Sequence, residues 1–174
     1  MKYQWTKLLI GALVITAVAG CGFKLRGPTQ FPFKKLYTSF ADSSPVGADF
    51  KRLMRAQDSV EFVAKPEEGE VRLMVLQDLR EREIVGYSAT GRPREYQLRQ
   101  KLRYQILDSK ADPIGSSAEI VIRRDISTSD ALINAKQQEE ELLYREMQDD
   151  LVQQLLRRLS VVNPKQGSDA NSRR

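Results

Sequence analysis

The chain has 174 residues, with a single cysteine, Cys21, and no histidine. One thiol leaves no internal disulfide and no cysteine-built zinc cluster. Without imidazole the commonest general base and metal ligand is missing, which excludes serine triads, cysteine–histidine dyads and His-ligated zinc. Acidic pairs do occur, at Asp149-Asp150 and along Glu139-Glu140-Glu141. Neighbours on a helix point about 100° apart and cannot converge on one substrate atom, so these carboxylates read as a solvated helix face. Tyr87, Tyr96 and Tyr104 find no identifiable partner base. The glycine pair Gly86 and Gly91 superficially resembles a phosphate loop, but Arg92-Pro93 follows where Lys then Ser/Thr is required, and the flanks pattern as strands. The chain is therefore read as having no catalytic residues, no metal site and no cofactor. Arginine and lysine hold the remaining chemistry. Arg92, Arg94, Arg99, Lys101 and Arg103 fall within twelve residues, and Arg123-Arg124 on the next strand. Guanidinium forks match phosphate oxygens, although a strand with one wet side is also charged simply to stay soluble.

Cys21 has its own context. Lys2 and Lys7 precede an eleven-residue, mostly apolar run, Leu8–Val18, and the segment closes on Val18-Ala19-Gly20-Cys21. A basic start, a short apolar core and a small-residue exit make a secretory signal, too short to span a bilayer. The last four residues resemble the bacterial lipobox, so residues 1–20 are expected to be removed and Cys21 to carry a diacylglycerol and an N-acyl chain. More than one acyl chain makes anchoring stable. Gly22, rather than Asp, follows the cysteine, which in the sorting pattern of enteric bacteria implies the outer membrane. Cleavage takes two lysines and no acid, so the formal net charge of +5 becomes +3, and Trp5, the only tryptophan, is lost. That modest charge on an exported protein argues against a nucleic-acid partner.

Residues 21–33 read as a lipidated tether, 34–163 as one α/β domain, and 164–174 as a disordered tail. Lys34–Phe40 predicts a first strand, and Phe50, Leu53 and Met54 a helix from about Val46 to Gln57. Val60-Glu61-Phe62-Val63 is a short run that closes into a loop. Val71, Leu73 and Val75 alternate and start the next strand, whose apolar signal fades past Leu79. Residues 86–94 form a hairpin loop. Tyr96, Leu98, Leu102, Tyr104 and Ile106 then line one face of the clearest strand, interrupted by Gln100, and a further strand spans Ser117–Ile126. Leu143, Met147, Leu151, Leu155 and Leu159 recur every fourth residue, a helical stripe fit to cover a sheet. Asp130 or Asn134 is its candidate cap and Pro164 its stop. The expected fold is α+β: a two-layer sandwich with a mostly antiparallel four-stranded sheet, two helices on one face, in the order β-α-β-β-β-α.

The tract Cys21-Gly22-Phe23-Lys24-Leu25-Arg26, with Glu95-Tyr96-Gln97 entering the main strand and Ala135-Lys136 and Glu146-Met147 in the last helix, resembles the LPS-assembly lipoproteins of the LptE (RlpB) family. With the element order, the likeness covers essentially the whole mature chain. It implies a sheet with two covering helices, an anchor in the inner leaflet of the outer membrane, and a place as a plug inside the LptD β-barrel. It also implies help in assembling that barrel and binding of lipopolysaccharide, without catalysis. Lys136 matches a lysine that in the family looks like part of a lipopolysaccharide contact. Ala89 stands where an arginine would be expected, with Arg92 or Arg94 as the substitute. A pilotin-like chaperone for another barrel or secretin is the alternative reading.

Overall fold

In the computed structural model the described residues are 30–57, 59–127 and 133–164, with 133–135 as backbone only. Strand β1 (Lys35–Thr38) leads through a turn into helix α1 (Pro45–Arg55). Ser44 caps this helix, its Oγ accepting from Gly47 N–H at 2.9 Å, and Pro45 fits the first helical position because no intrahelical donor is needed there. Gly47 lets Phe40 lie against the helix, since a Cβ there would fall 2.7 Å from Phe40 Cβ. Val46, Phe50 and Met54 form the buried stripe, and Arg52 and Arg55 favour the negative end of the helix dipole.

The short run after α1 is a strand, β2 (Glu61–Phe62). It pairs parallel to β1, with Glu61 N–H donating to the Lys34 carbonyl at 2.7 Å. The expected four-stranded sheet therefore has five strands, in the order β2-β1-β3-β4-β5. A helix between two strands carries the chain back to its starting end, so β2 returns parallel to β1. The 3₁₀ turn Pro66–Glu68 then stops β2 and turns the chain to the far side of β1.

There β3 (Val71–Tyr87) pairs parallel with β1 over Val71–Leu73 and antiparallel with β4 (Pro93–Asp108) along almost its whole length. It does not fade after Leu79. The charged stretch Arg80–Glu83 stays extended because its side chains find partners across β4 and on the second helix. Strand β5 (Ala118–Ser127) completes the antiparallel part. Helix α2 (Ile133–Leu159) lies over β4 and β5 and beside α1. It starts one residue before Asn134, which is thus no cap, and ends well short of Pro164; Asp130 lies outside the described residues.

The core is continuous. Leu98, Leu102, Tyr104, Ile120 and Ile122 from the sheet meet Phe50 and Met54 of α1 and Met147, Leu151, Leu155 and Leu159 of α2. Phe33 is 2% exposed and Phe31 packs beside it, so the folded unit already begins within the segment read as a tether.

Candidate functional site

The β3–β4 hairpin and the opening turns of α2 make up one end of the molecule. Ser127, at the end of β5, lies beside Glu95, so the chain enters α2 from this end. Glu140, one helical turn after Lys136, reaches Arg82 of β3 at 3.3 Å. Arg92, Arg94 and Lys136, far apart in sequence, thus share an end of the fold. The hairpin turn is held by its own hydrogen bonds: Ser88 N–H donates to the Arg92 carbonyl at 2.8 Å, and Arg92 N–H to Ser88 Oγ at 3.2 Å. Gly91, at φ +77°, supplies the left-handed residue that this turn requires. Arg92 is thereby positioned by backbone, and Arg94 follows it as β4 begins; both are exposed. Lys136 Nζ lies 2.7 Å from Glu139 Oε2 on the same helix.

Behind these cations lies a layer that periodicity alone did not mark. Arg82 stacks on the Tyr96 ring, 3.8 Å from its centroid, while Arg80 sits 5.3 Å from the Tyr144 ring and donates to Gln148. The Tyr144 hydroxyl donates to the Glu81 carbonyl at 3.0 Å. Burial, with help from Glu140, raises the Tyr144 phenol above its ordinary value of 10.0, against the opposing pull of Arg80 and Arg82. Glu140, Tyr144 and Gln148 recur at i, i+4 and i+8 on α2, which was the available signal for this layer.

The wet face of the sheet is not the bare cationic surface that the arginine count suggested. Arg99 pairs with Glu83 at 2.6 Å and Lys101 with Glu81 at 2.9 Å. Arg124 faces the helices and pairs with Asp150 at 2.6 Å. Of the remaining cluster, Arg103 and Arg123 are exposed on the sheet, and Arg92 and Arg94 at the hairpin end. Cys21 lies outside the described residues.

Residues 33–159 match the family model "LptE: Lipopolysaccharide-assembly". The chain belongs to the LptE family. It is 31% identical over 170 residues to the LPS-assembly lipoprotein LptE of Pectobacterium atrosepticum, covering 95% of this chain and 90% of that one. It is 32% identical to the LptE of Yersinia enterocolitica, covering 94% and 79%. Among solved structures, an uncharacterized lipoprotein B from Nitrosomonas europaea superposes with a TM-score of 0.70 at 35% identity, over 80% of this chain and 90% of that one. Rare lipoprotein B from Shewanella oneidensis has a TM-score of 0.63 at 21% identity, covering 81% and 100%, and shares the fold. LptE proteins are non-enzymatic lipoproteins of lipopolysaccharide assembly, in keeping with a chain that lacks histidine.

Proposed function

We propose that this LptE-family chain is an outer-membrane lipoprotein that plugs and helps assemble an LptD-type β-barrel and binds lipopolysaccharide phosphates at its hairpin end. In this reading residues 1–20 are a signal peptide and Cys21 bears the lipid. Residues following Cys21 tether the domain to the inner leaflet, and 164–174 form a tail. What supports the site is that Arg92, Arg94 and the start of α2, with Lys136, lie at one end of the fold. Cationic side chains fixed on a turn and a helix can meet several phosphates of one polyanionic headgroup, and exposed contacts of this kind weaken with salt. The test is lipopolysaccharide binding by the soluble domain carrying R92E, R94E and K136E together. Binding should fall by about tenfold or more, since each lost charged contact is worth roughly 1 kcal/mol or more. Unchanged affinity refutes the site.

A further inference from the structure

Strand β3 is far longer than the strand beside it. β1 covers only Val71–Leu73, and the chain then lifts away toward α1. Ser39 serves the next positions, its N–H donating to the Leu73 carbonyl at 3.1 Å and its Oγ accepting from Val75 N–H at 2.8 Å. Ser44 Oγ donates to the Asp78 carboxylate at 2.6 Å as it begins the helix. Between this segment and β3 runs an open groove of about 480 Å³, bordered by Ser39, Ser44, Leu76 and Asp78. From Leu79 to Val85, no strand among the described residues pairs with the side of β3 that faces away from β4. Its backbone groups on that side stand ready for another extended chain.

The side chains of this strand divide in a telling way. The charges are turned to internal partners: Arg80 to Gln148, Glu81 to Lys101, Arg82 to Glu140 and Glu83 to Arg99. The apolar residues from Leu76 onward are not covered. Of the seven large hydrophobic side chains exposed among the described residues, five lie on β3: Leu76, Leu79, Ile84, Val85 and Tyr87. A second copy of the chain fits this edge badly. Antiparallel self-pairing centred on Glu81 sets Glu81 against Glu81 and Arg80 against Arg82. Centring on Arg80, Arg82 or Glu83 likewise opposes a charge to itself, and like charges opposite one another destabilise a sheet. Moving the centre down runs into Ser39, and moving it up runs into the bulges between Ile84 and Tyr87.

We infer that the free edge of β3 from Leu79 to Val85 accepts an extended, apolar-bearing segment of a different polypeptide as an added strand. Resting on the function proposed above, the donor is the barrel partner. A closed barrel wall has no edge to offer, so the segment comes from a loop or extension outside that wall. The test is hydrogen exchange on the lipidated protein, alone and in the complex co-purified with its barrel from outer membranes. Amides on the free side of Leu79–Val85 should exchange about tenfold or more slowly in the complex, as newly bonded strand amides do. The double variant L79Q/V85K alters only exposed side chains and opposes no like charges. It should keep the melting temperature of the free domain and lower recovery of the barrel. Unchanged exchange in an intact complex overturns the added strand and leaves the barrel reading standing. Slowed exchange in a homodimer overturns the choice of donor. Failure to recover any barrel with the wild-type protein overturns both readings.

Discussion

Gln100 lies at the centre of the buried face of β4, between Leu98 and Leu102, and is fully buried. Neither its amide nitrogen nor its amide oxygen has a hydrogen-bond partner among the described residues. An unmatched buried amide costs about 1–3 kcal/mol, and an apolar side chain of similar shape removes that cost. Q100L is therefore expected to stabilise the domain by about 1–2 kcal/mol in urea unfolding, and a loss of stability would show that the amide is satisfied. Asp49 poses the opposite case. Burial pushes its carboxyl up, but hydrogen bonds from Arg52 and Gln148, with the charge of Arg52, outweigh burial and hold it below the ordinary 3.8. A carboxyl depressed in the folded state stabilises fully above its unfolded value and loses that contribution as pH falls through the folded one. Melting temperature should thus drop more steeply from about pH 4 downward in the wild type than in D49N. Parallel curves would refute the assignment.

Helix α2 is anchored unevenly along its length. Its second half buries Met147, Leu151, Val152, Leu155, Leu156 and Leu159 against the sheet and α1. The turns before Met147 pack only the partly buried Leu143 and Tyr144 against the core and otherwise meet β3 through the Glu140–Arg82 ion pair, Arg80 over the Tyr144 ring and the Tyr144 hydroxyl. Buried leucines resist truncation because a cavity remains, whereas an exposed ion pair contributes little. L151A is expected to destabilise by about 2–5 kcal/mol. L142A, at a side chain 50% exposed on the same helix, should stay within about 0.5 kcal/mol of wild type. Chemical denaturation of both variants checks the contrast, and equal losses would refute the uneven anchoring. The charged part of β3 obeys the same logic as α2. Arg80–Glu83 keeps strand geometry because each side chain has a partner on another element, and no local pattern could reveal those partners.

At the scale of the molecule, the start of the domain lies at the opposite end of β3 from the hairpin. Phe31 and Phe33 seat the start of the domain in the core, while the cations of the proposed lipopolysaccharide site sit at the hairpin end. If the signal peptide is removed at Cys21, Trp5 leaves with it, and native lipoprotein isolated from outer membranes should emit as tyrosine. A tryptophan band from that material would refute the cleavage.

Local pattern alone determined the order of the elements other than β2, and their inward faces. Alternation in β4 and the four-residue recurrence in α2 are imposed by burial on one side, and burial acts on each residue in place. The exclusion of histidine chemistry and the resemblance to a lipobox at Cys21 likewise required nothing beyond residue identity. Residue identity could not supply β2, whose two residues become a strand only because β1 is already beside them. Nor could it supply the partners of Arg99, Lys101 and Arg124, which depend on which carboxylates the pairing of β3 with β4 and the docking of α2 bring within reach. The bare edge of β3 belongs to the tertiary structure for the same reason: a strand's hydrogen-bonding side is free or filled according to what folds against it, not according to its own residues.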